Sequence, residues 1–334
     1  MKKYFVMLSI LIVISGSCST AEAQPLRTRL SYAFLTGAML PLWMAKELDL
    51  FERHGVQSSP IYMAATIAYQ AMLAGETDFT IGGSVPSIQA RLGGADTLIL
   101  VTYSTAFAFS FLAQLPIQQP SDLRGKRIGI TRFGTPPDFA ARIALKGWHL
   151  VPVKDVAIVQ FGGQPETFAA LKAGSVQAAV LGTPFSTEAK RQGMVELIDF
   201  SQTDTEFAAA VLMSTARYVS ARDEATRRLI RALVEGIWAF KSNREGSLRA
   251  LEKYARLTDR NVLEETYQIN RKVLRLVPRT TVAAVRNVLE ALADQNPRAR
   301  GGNPQEFYSN RFIDELEQTG FMRELAARYP GALR

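Results

Sequence analysis

Residues 30–56, LSYAFLTGAMLPLWMAKELDLFERHGV, contain a complete strand–loop–helix–strand unit. Residues 30–35 are apolar and aromatic, which is typical of a strand, and residues 36–38 are small, which indicates a loop. Pro41 fits the first turn of a helix, where its missing N–H costs little. Gly55 predicts the end of that helix, since glycine adopts the left-handed C-terminal position easily. The loop before the helix presents free backbone N–H groups and suits ligand binding.

The same unit recurs along the chain. Strands alternate with helices from residue 56 to residue 200, which predicts an α/β fold with mainly parallel sheets flanked by helices. Right-handed crossovers then bring the strand-end loops to one edge of each sheet. Residues 73–79, LAGETDF, and 172–178, KAGSVQA, both place an Ala-Gly helix stop before a short turn and a buried strand. This echo indicates either two similarly built lobes or convergent turn chemistry.

The N-terminus has the pattern of an export signal. Lys2 and Lys3 precede an apolar run over residues 4–14, and residues 21–23 form a small-x-small cleavage pattern. We therefore expect residues 1–23 to be a signal peptide and the protein to be exported to the periplasm. The alternative is a lipoprotein anchored through Cys18, the only cysteine of the chain.

Composition narrows the class of function. The chain has 334 residues and a formal net charge of +8, which fits either an anionic ligand or a generally basic surface. Its basic residues are scattered and are not interleaved with aromatics, so nucleic acid is not an expected partner. The two histidines, His54 and His149, follow helices and are predicted to lie on the surface. With no other histidine and no cysteine beyond Cys18, no metal site, cofactor or catalytic triad is expected.

Several motifs together resemble a known family. They are residues 41–51 (PLWMAKELDLF), 73–79, 122–129 (DLRGKRIG) and 310–316 (NRFIDEL). In their order and spacing they are similar to exported substrate-binding proteins of bacterial ABC transporters, in the branch that includes nitrate, sulfonate, taurine and thiamine-pyrimidine-precursor binders.

The resemblance implies a type II periplasmic-binding-protein fold. Lobe 1 would comprise residues 24–105 and 206–334, and lobe 2 residues 106–205, with hinge crossings near residues 103–107 and 201–209. The ligand would lie in the cleft between the lobes, which close on it. Two departures leave the class of ligand open: Gln177 stands where the second Ala-Gly repeat often carries Asp, and residues 182–185 are less polar than in many relatives.

Ten residues at the predicted loops are candidates for lining the cleft. Helix N-termini that face one cleft supply backbone donors and a positive dipole end. Each residue taken alone is equally well explained as a helix cap or a turn. The set is Thr36, Gly37, Thr66, Gly83, Ser84, Arg132, Gly134, Thr135, Gly163 and Thr183.

Arg132 is the only cation at these loop positions. It either makes a bidentate contact with an anion or, as is common for an arginine at a strand end, extends into solvent. Tyr62, Phe133 and Phe185 are candidates for stacking on a ring or covering an apolar ligand, and core packing is the alternative for at least one of them.

The sequence therefore predicts a monomeric, non-enzymatic receptor that captures a small molecule and delivers it to an ABC transporter permease. An anion is one option for that molecule. One alternative is an enzyme of the same fold that acts in thiamine-pyrimidine synthesis, which would require His or Cys placements that the mature chain lacks. The other is a ligand-sensing module that signals through a protein partner.

Overall fold

The computed structural model describes residues 26–106, 108–203, 206–293 and 296–333. The predicted signal peptide and Cys18 lie outside these residues. Within them, twelve strands form one two-stranded and two five-stranded sheets. The strands are β1 Leu26–Thr28, β2 Leu30–Tyr32, β3 Val56–Ser58, β4 Ile61–Tyr62, β5 Phe79–Gly82, β6 Thr97–Ser104, β7 Phe109–Ala113, β8 Arg127–Ile130, β9 Ala157–Gln160, β10 Ala178–Gly182, β11 Val195–Asp199 and β12 Ala210–Thr215.

The two large sheets confirm the α/β fold. The first has the order β4-β2-β5-β12-β6 and the second β11-β7-β10-β8-β9. Each sheet is mixed rather than mainly parallel. The strands that follow the two chain crossings, β7 and β12, are antiparallel to both of their neighbours. Periodicity did not reveal this orientation, because a fully buried strand has the same apolar pattern in either direction.

Helices flank the sheets and connect the strands. Among the described residues they are α1 Leu40–Glu47, α2 Leu50–Arg53, α3 Ala65–Ala74, α4 Ser84–Leu92, α5 Pro136–Gly147, α6 Gln164–Lys172, α7 Phe185–Arg191, α8 Ala216–Ala221, α9 Asp223–Ser242, α10 Arg244–Ala255, α11 Arg260–Val273, α12 Val282–Leu292, α13 Arg311–Gln318 and α14 Phe321–Arg328. No helix in this part of the chain is both long and apolar enough to cross a bilayer.

The opening unit has the predicted strand–loop–helix–strand order, but the single helix predicted to end at Gly55 was wrong: it is divided into α1 and α2 because Asp49 adopts a left-handed conformation, with φ of 52°. Helix α1 carries Pro41 at its second position, and six of its residues, from Leu40 to Ala45, are buried. It packs against α9, the long amphipathic helix whose apolar face includes Leu229, Leu233 and Ile237. Burial of each of these side chains stabilises the folded state by about 1.5–3 kcal/mol. This packing fixes α1 and therefore the loop that precedes it.

The echo between residues 73–79 and 172–178 is present in three dimensions. Gly75 and Gly174 both adopt a left-handed conformation, with φ of 77° and 75°. In the first unit the Asp78 carboxylate accepts the backbone N–H of Arg29 at 2.7 Å. In the second, the side-chain carbonyl of Gln177 accepts the N–H of Arg127 at 3.1 Å. Gln177 thus replaces aspartate in a strand-pairing role at the opposite end of β10 from the strand-end loops.

His54 is not the surface residue that the sequence predicted. Its side chain is only 13% exposed, and its Nε2 lies 2.6 Å from the carboxylate of Glu235. Glu235 is fully buried in α9, so the end of α2 packs against that helix instead of facing solvent. His149 is exposed after α5, as expected.

Candidate functional site

A cavity of about 540 Å³ lies where the two large sheets face each other. Its lining includes the residues that directly follow the parallel strands β2, β8 and β9, the last residue of β4, and the start of the antiparallel strand β7. Residues next to the two chain crossings also border it, namely Ser104, Ala106 and Ala108 at the first and Ala209 and Ala210 at the second. The arrangement is the usual one for α/β sheets, in which ligands bind outside the carboxyl ends of the parallel strands.

The structure brings six of the ten predicted residues to this cavity. They belong to four different loops, one after β2 of the first sheet and three after β8, β9 and β10 of the second, as the common sheet edge implied. Their contact with a ligand stays a prediction. The six are Thr36, Gly37, Arg132, Thr135, Gly163 and Thr183.

The other four, Thr66, Gly83, Ser84 and Gly134, are not among the lining residues. The carbonyl of Gly83 accepts the Tyr69 hydroxyl at 2.8 Å, and a Cβ on Gly83 would lie 3.1 Å from the ring of Pro136. This loop therefore packs against the start of α5 in the other half of the molecule. Ser84 is fully buried behind it, and Thr66 is exposed on α3.

The loop before α1 is held by a side chain that the sequence did not identify. Asn270 of α11 is buried, lines the cavity and donates its Nδ2 to the carbonyl of Thr266 at 2.8 Å. A Cβ on Gly37 would overlap with the Asn270 amide, so the loop approaches α11 closely only because residue 37 is glycine. One asparagine in an amphipathic helix gave no distinctive sequence signal.

The N-terminus of α5 is already occupied by the protein's own groups. Pro136 and Pro137 are its first two residues and have no N–H to donate. The Asp138 carboxylate is almost fully buried there, accepts the N–H of Gly134 at 2.9 Å and pairs with Arg142 at 2.9 Å. Burial raises the pKa of Asp138, while the Gly134 N–H and the Arg142 guanidinium act in the opposite direction.

Helix α6 presents a mixed N-terminus to the cavity. Gly163 precedes it without a side-chain cap, Pro165 is its second residue and Glu166 its third. The side-chain carbonyl oxygen of Gln164, Oε1, accepts the backbone N–H of Gly182 at 2.9 Å, which connects α6 to the end of β10. The Nε2 of Gln164 is buried with no hydrogen-bond partner among the described residues.

Arg132 is the only cationic residue in the described lining. Its Nε donates to the carbonyl of Gly162 at 3.2 Å, which positions the guanidinium beside the loop that precedes α6. No ion pair of Arg132 is found among the described residues. The guanidinium Nη groups are therefore free to bind an acceptor from a ligand.

Most of the remaining wall is apolar. Phe109, Phe161 and Phe185 line it from the side of the second sheet, and Phe34, Leu35 and Tyr62 from the side of the first. Phe185 is supported by Phe168, with ring centroids 5.9 Å apart. Leu35 and Tyr62 remain 42% and 48% exposed, so they stand at the opening. Phe133, the third aromatic candidate, is exposed and is not in the lining.

Contacts cross the cleft on two sides. On one side Gly83 meets Pro136, as described above. On the other, Arg191 at the end of α7 forms an ion pair with Asp259 before α11, at 3.4 Å. Asp259 also caps α11 by accepting the N–H groups of Asn261 and Val262. The two halves of the molecule therefore touch around the cavity rather than standing apart.

Comparison with known proteins places the chain in a family. A binding protein of Brucella abortus (strain 2308) is 27% identical over 308 residues, covering 88% of this chain and 91% of that protein. The alkanesulfonate-binding protein of Xanthomonas axonopodis pv. citri, solved with bound MOPS, superposes with a TM-score of 0.68 at 21% identity, covering 83% of this chain and 94% of the other. The periplasmic nitrate-binding protein of Synechocystis PCC 6803 gives a TM-score of 0.70 at 12% identity and 88% coverage of both chains.

These structural likenesses confirm the periplasmic-binding-protein fold. The family model described as NMT1/THI5 like matches residues 37–245, which include α1, most of both large sheets and both chain crossings. Because that match spans more than half of the sequence, the chain belongs to the NMT1/THI5-like family.

Proposed function

We propose that this protein is the solute-binding receptor of an ABC import system. It captures a small molecule in the cavity between two lobes and delivers it to a membrane permease. The observation that carries the proposal is the cavity itself, which is lined from both large sheets and bordered by the chain crossings on either side. Lobe 1 consists of residues 24–105 and 206–334, and lobe 2 of residues 106–205.

The family supports this function. Its solved structural relatives include binding proteins for alkanesulfonate and nitrate and a ligand-binding component of an ABC-type import system from Staphylococcus aureus. An aliphatic sulphonate-binding relative from Escherichia coli is described as periplasmic. The signal pattern over residues 1–23 fits the same location for this protein.

Ligand binding is coupled to closure of the two lobes. A ligand that contacts both walls of the cavity stabilises the closed arrangement over the open one, which is a population shift driven by its differential affinity. The Arg191–Asp259 ion pair and the Gly83–Pro136 contact form in the closed state. The permease then recognises the closed, loaded receptor.

The test is to identify what the purified protein retains. The protein is incubated with a small-molecule extract of bacterial cells, washed and denatured, and the released compounds are identified by mass spectrometry. We expect one compound at about one equivalent per chain, chemically unchanged. Release of a converted product would instead favour the enzyme alternative.

A variant with a blocked cavity is the control. Gly163 lines the cavity in an extended conformation, with φ of −141°, that any residue adopts. Gly163→Trp therefore fills space in the cavity without straining the backbone, although the Glu166 carboxylate has to move aside for the new Cβ, and circular dichroism checks its fold. Retention of the same compound by this variant would place the binding outside the cavity and contradict the proposal.

A further inference from the structure

We infer that the ligand is an organic acid with an apolar, ring-sized body and a single acid group held by Arg132. This inference rests on the proposed receptor function and names the class of ligand. It excludes small inorganic oxyanions as the main solute. Four features of the cavity carry it, and each concerns a different part of the wall.

The size and lining of the cavity require an organic body. Its volume of about 540 Å³ falls in the range of pockets that bury drug-sized organic molecules, roughly 300–1,000 Å³. Phe109, Phe161 and Phe185 line this space. A small, strongly hydrated ion would leave that wall uncovered and would lose its water shell without compensation.

The N-termini of α5 and α6 do not offer an oxyanion site. At α5 the first two backbone donors are missing because of Pro136 and Pro137, and the buried carboxylate of Asp138 already occupies the positive end of the helix. At α6, Pro165 removes another donor and Glu166 adds a negative charge. An anion surrounded only by these termini would meet carboxylates where it needs N–H groups.

Arg132 supplies the remaining anchor. Arg132 is exposed to the cleft and its Nε donates to the Gly162 carbonyl, which leaves its two Nη groups as donors for a ligand. That fork matches the two oxygens of a carboxylate, and a sulfonate presents a similar pair. Both acids share this chemistry.

Glu166 limits the ligand to one acid group. It lines the same cavity, close to Gly163, and no ion pair of its carboxylate is found in the described part of the chain. Its negative charge repels a second acid group on the same ligand. The site therefore favours a monoanion, whose apolar end points toward the aromatic wall and the opening beside Leu35 and Tyr62.

Isothermal titration calorimetry with matched probes tests this assignment. The ring acids are benzoate, phenylacetate, cyclohexanecarboxylate and benzenesulfonate; the neutral counterparts are benzamide and cyclohexanecarboxamide; the small anions are nitrate, acetate and taurine. We expect at least one ring acid to bind roughly tenfold or more tightly than its amide and than every small anion. Comparison of benzoate with benzenesulfonate shows which acid group is preferred.

Two variants locate the acid group and the ring. Arg132→Gln should remove the difference between acid and amide while weak amide binding persists, and Arg132→Lys should restore part of it. Arg286→Gln, at an exposed arginine of α12 outside the cavity, is the control. Phe161→Ala should weaken ring acids and leave acetate unchanged, whereas Phe133→Ala, at the exposed neighbour of Arg132, should have little effect.

Three results would overturn the inference. In the first, nitrate or taurine binds as tightly as the best ring acid. In the second, the amides bind the unmodified protein with the same affinity as the acids. In the third, no ring acid binds. If none of the ring acids binds but a different compound is retained from the cell extract, the receptor function stands and only the ligand class is wrong. If the extract also yields no compound, the proposed function itself fails.

Discussion

At the scale of single residues, the buried charge of Glu235 shows how lobe 1 holds its long helix in place. The carboxylate has no exposed surface and receives His54, Arg328 and Tyr329 at 2.6, 2.8 and 2.8 Å. Burial by itself raises the pKa of Glu235, but these hydrogen bonds outweigh it and lower the pKa to about 2. One side chain thereby connects the ends of α2 and α14 to the middle of α9.

Glu235→Gln should destabilise the protein in a pH-dependent way. In the folded protein the pKa of Glu235 lies below its ordinary value. The charged carboxylate therefore stabilises the fold above about pH 5, and this stability is lost as the pH falls toward 2. We expect a loss on the order of 3 kcal/mol at pH 7, with the gap to the unmodified protein narrowing between pH 5 and pH 3. Urea denaturation across this range measures it.

The control for this variant is Glu245→Gln. Glu245 pairs with Arg244 and Arg260 on the surface, where its side chain is 53% exposed. Such pairs contribute about 1 kcal/mol or less. A gap between Glu235→Gln and the unmodified protein that stays constant from pH 7 to pH 3 would show that the carboxylate charge is not the stabilising element.

Gly37→Ala should disturb the loop before α1. The added methyl overlaps with the Asn270 amide, so the loop or α11 has to move. We expect a loss of about 1–3 kcal/mol in the free energy of unfolding, as is typical of overpacking. Gly147→Ala at the end of α5, where a Cβ meets nothing within 4 Å, should be close to neutral. Equal stability of the two variants would argue against the close approach.

At the scale of elements, the two lobes use the same device to join a helix, a turn and a buried strand. In each, a glycine in the left-handed conformation, Gly75 or Gly174, follows the helix. Three residues after that glycine, a side chain accepts a backbone N–H from the start of the neighbouring strand. Asp78 performs this role in lobe 1 and Gln177 in lobe 2. The departure from aspartate at residue 177 is therefore explained by strand pairing and does not bear on the ligand.

Gln177→Ala should test that explanation. Loss of the acceptor leaves the N–H of Arg127 without its partner and should cost about 1 kcal/mol of stability. Gln177→Asp should retain most of the bond, since aspartate makes it in the other lobe. Thermal unfolding measures both, and calorimetry with any compound retained from the extract should show unchanged affinity. A large change in ligand affinity with unchanged stability would instead show that Gln177 takes part in ligand binding.

At the scale of the whole molecule, two contacts join the halves around the cavity, one from α7 to the residue before α11 and one from the start of α5 to the loop before α4, and the proposed closure would use both. The Arg191–Asp259 pair is partly exposed, with 38% and 54% of the two side chains accessible, so its contribution is small and sensitive to salt.

Arg191→Gln should shift the ligand-free protein toward the open state. Losing up to about 1 kcal/mol changes the closed-to-open ratio by up to roughly fivefold. Small-angle X-ray scattering at low salt should show a larger radius of gyration, and the difference should shrink as salt is added. Arg249→Gln, at an exposed arginine of α10, is the control. An unchanged radius at low salt would show that the pair does not hold the lobes together.

The sequence by itself determined the α/β class, the helix α1 with its preceding loop and the echo between residues 73–79 and 172–178, because each depends on local turn chemistry and apolar periodicity. The order and spacing of its motifs indicated the family. Tertiary structure decided the rest. It set β7 and β12 antiparallel, buried His54 against Glu235 and placed Asn270 beside Gly37 across more than 200 residues of chain. It also turned Gly83 and Ser84 away from the cavity that Thr36 and Thr183 line. Contacts between distant segments depend on how whole elements pack, and a pattern read along the chain carries no record of that packing.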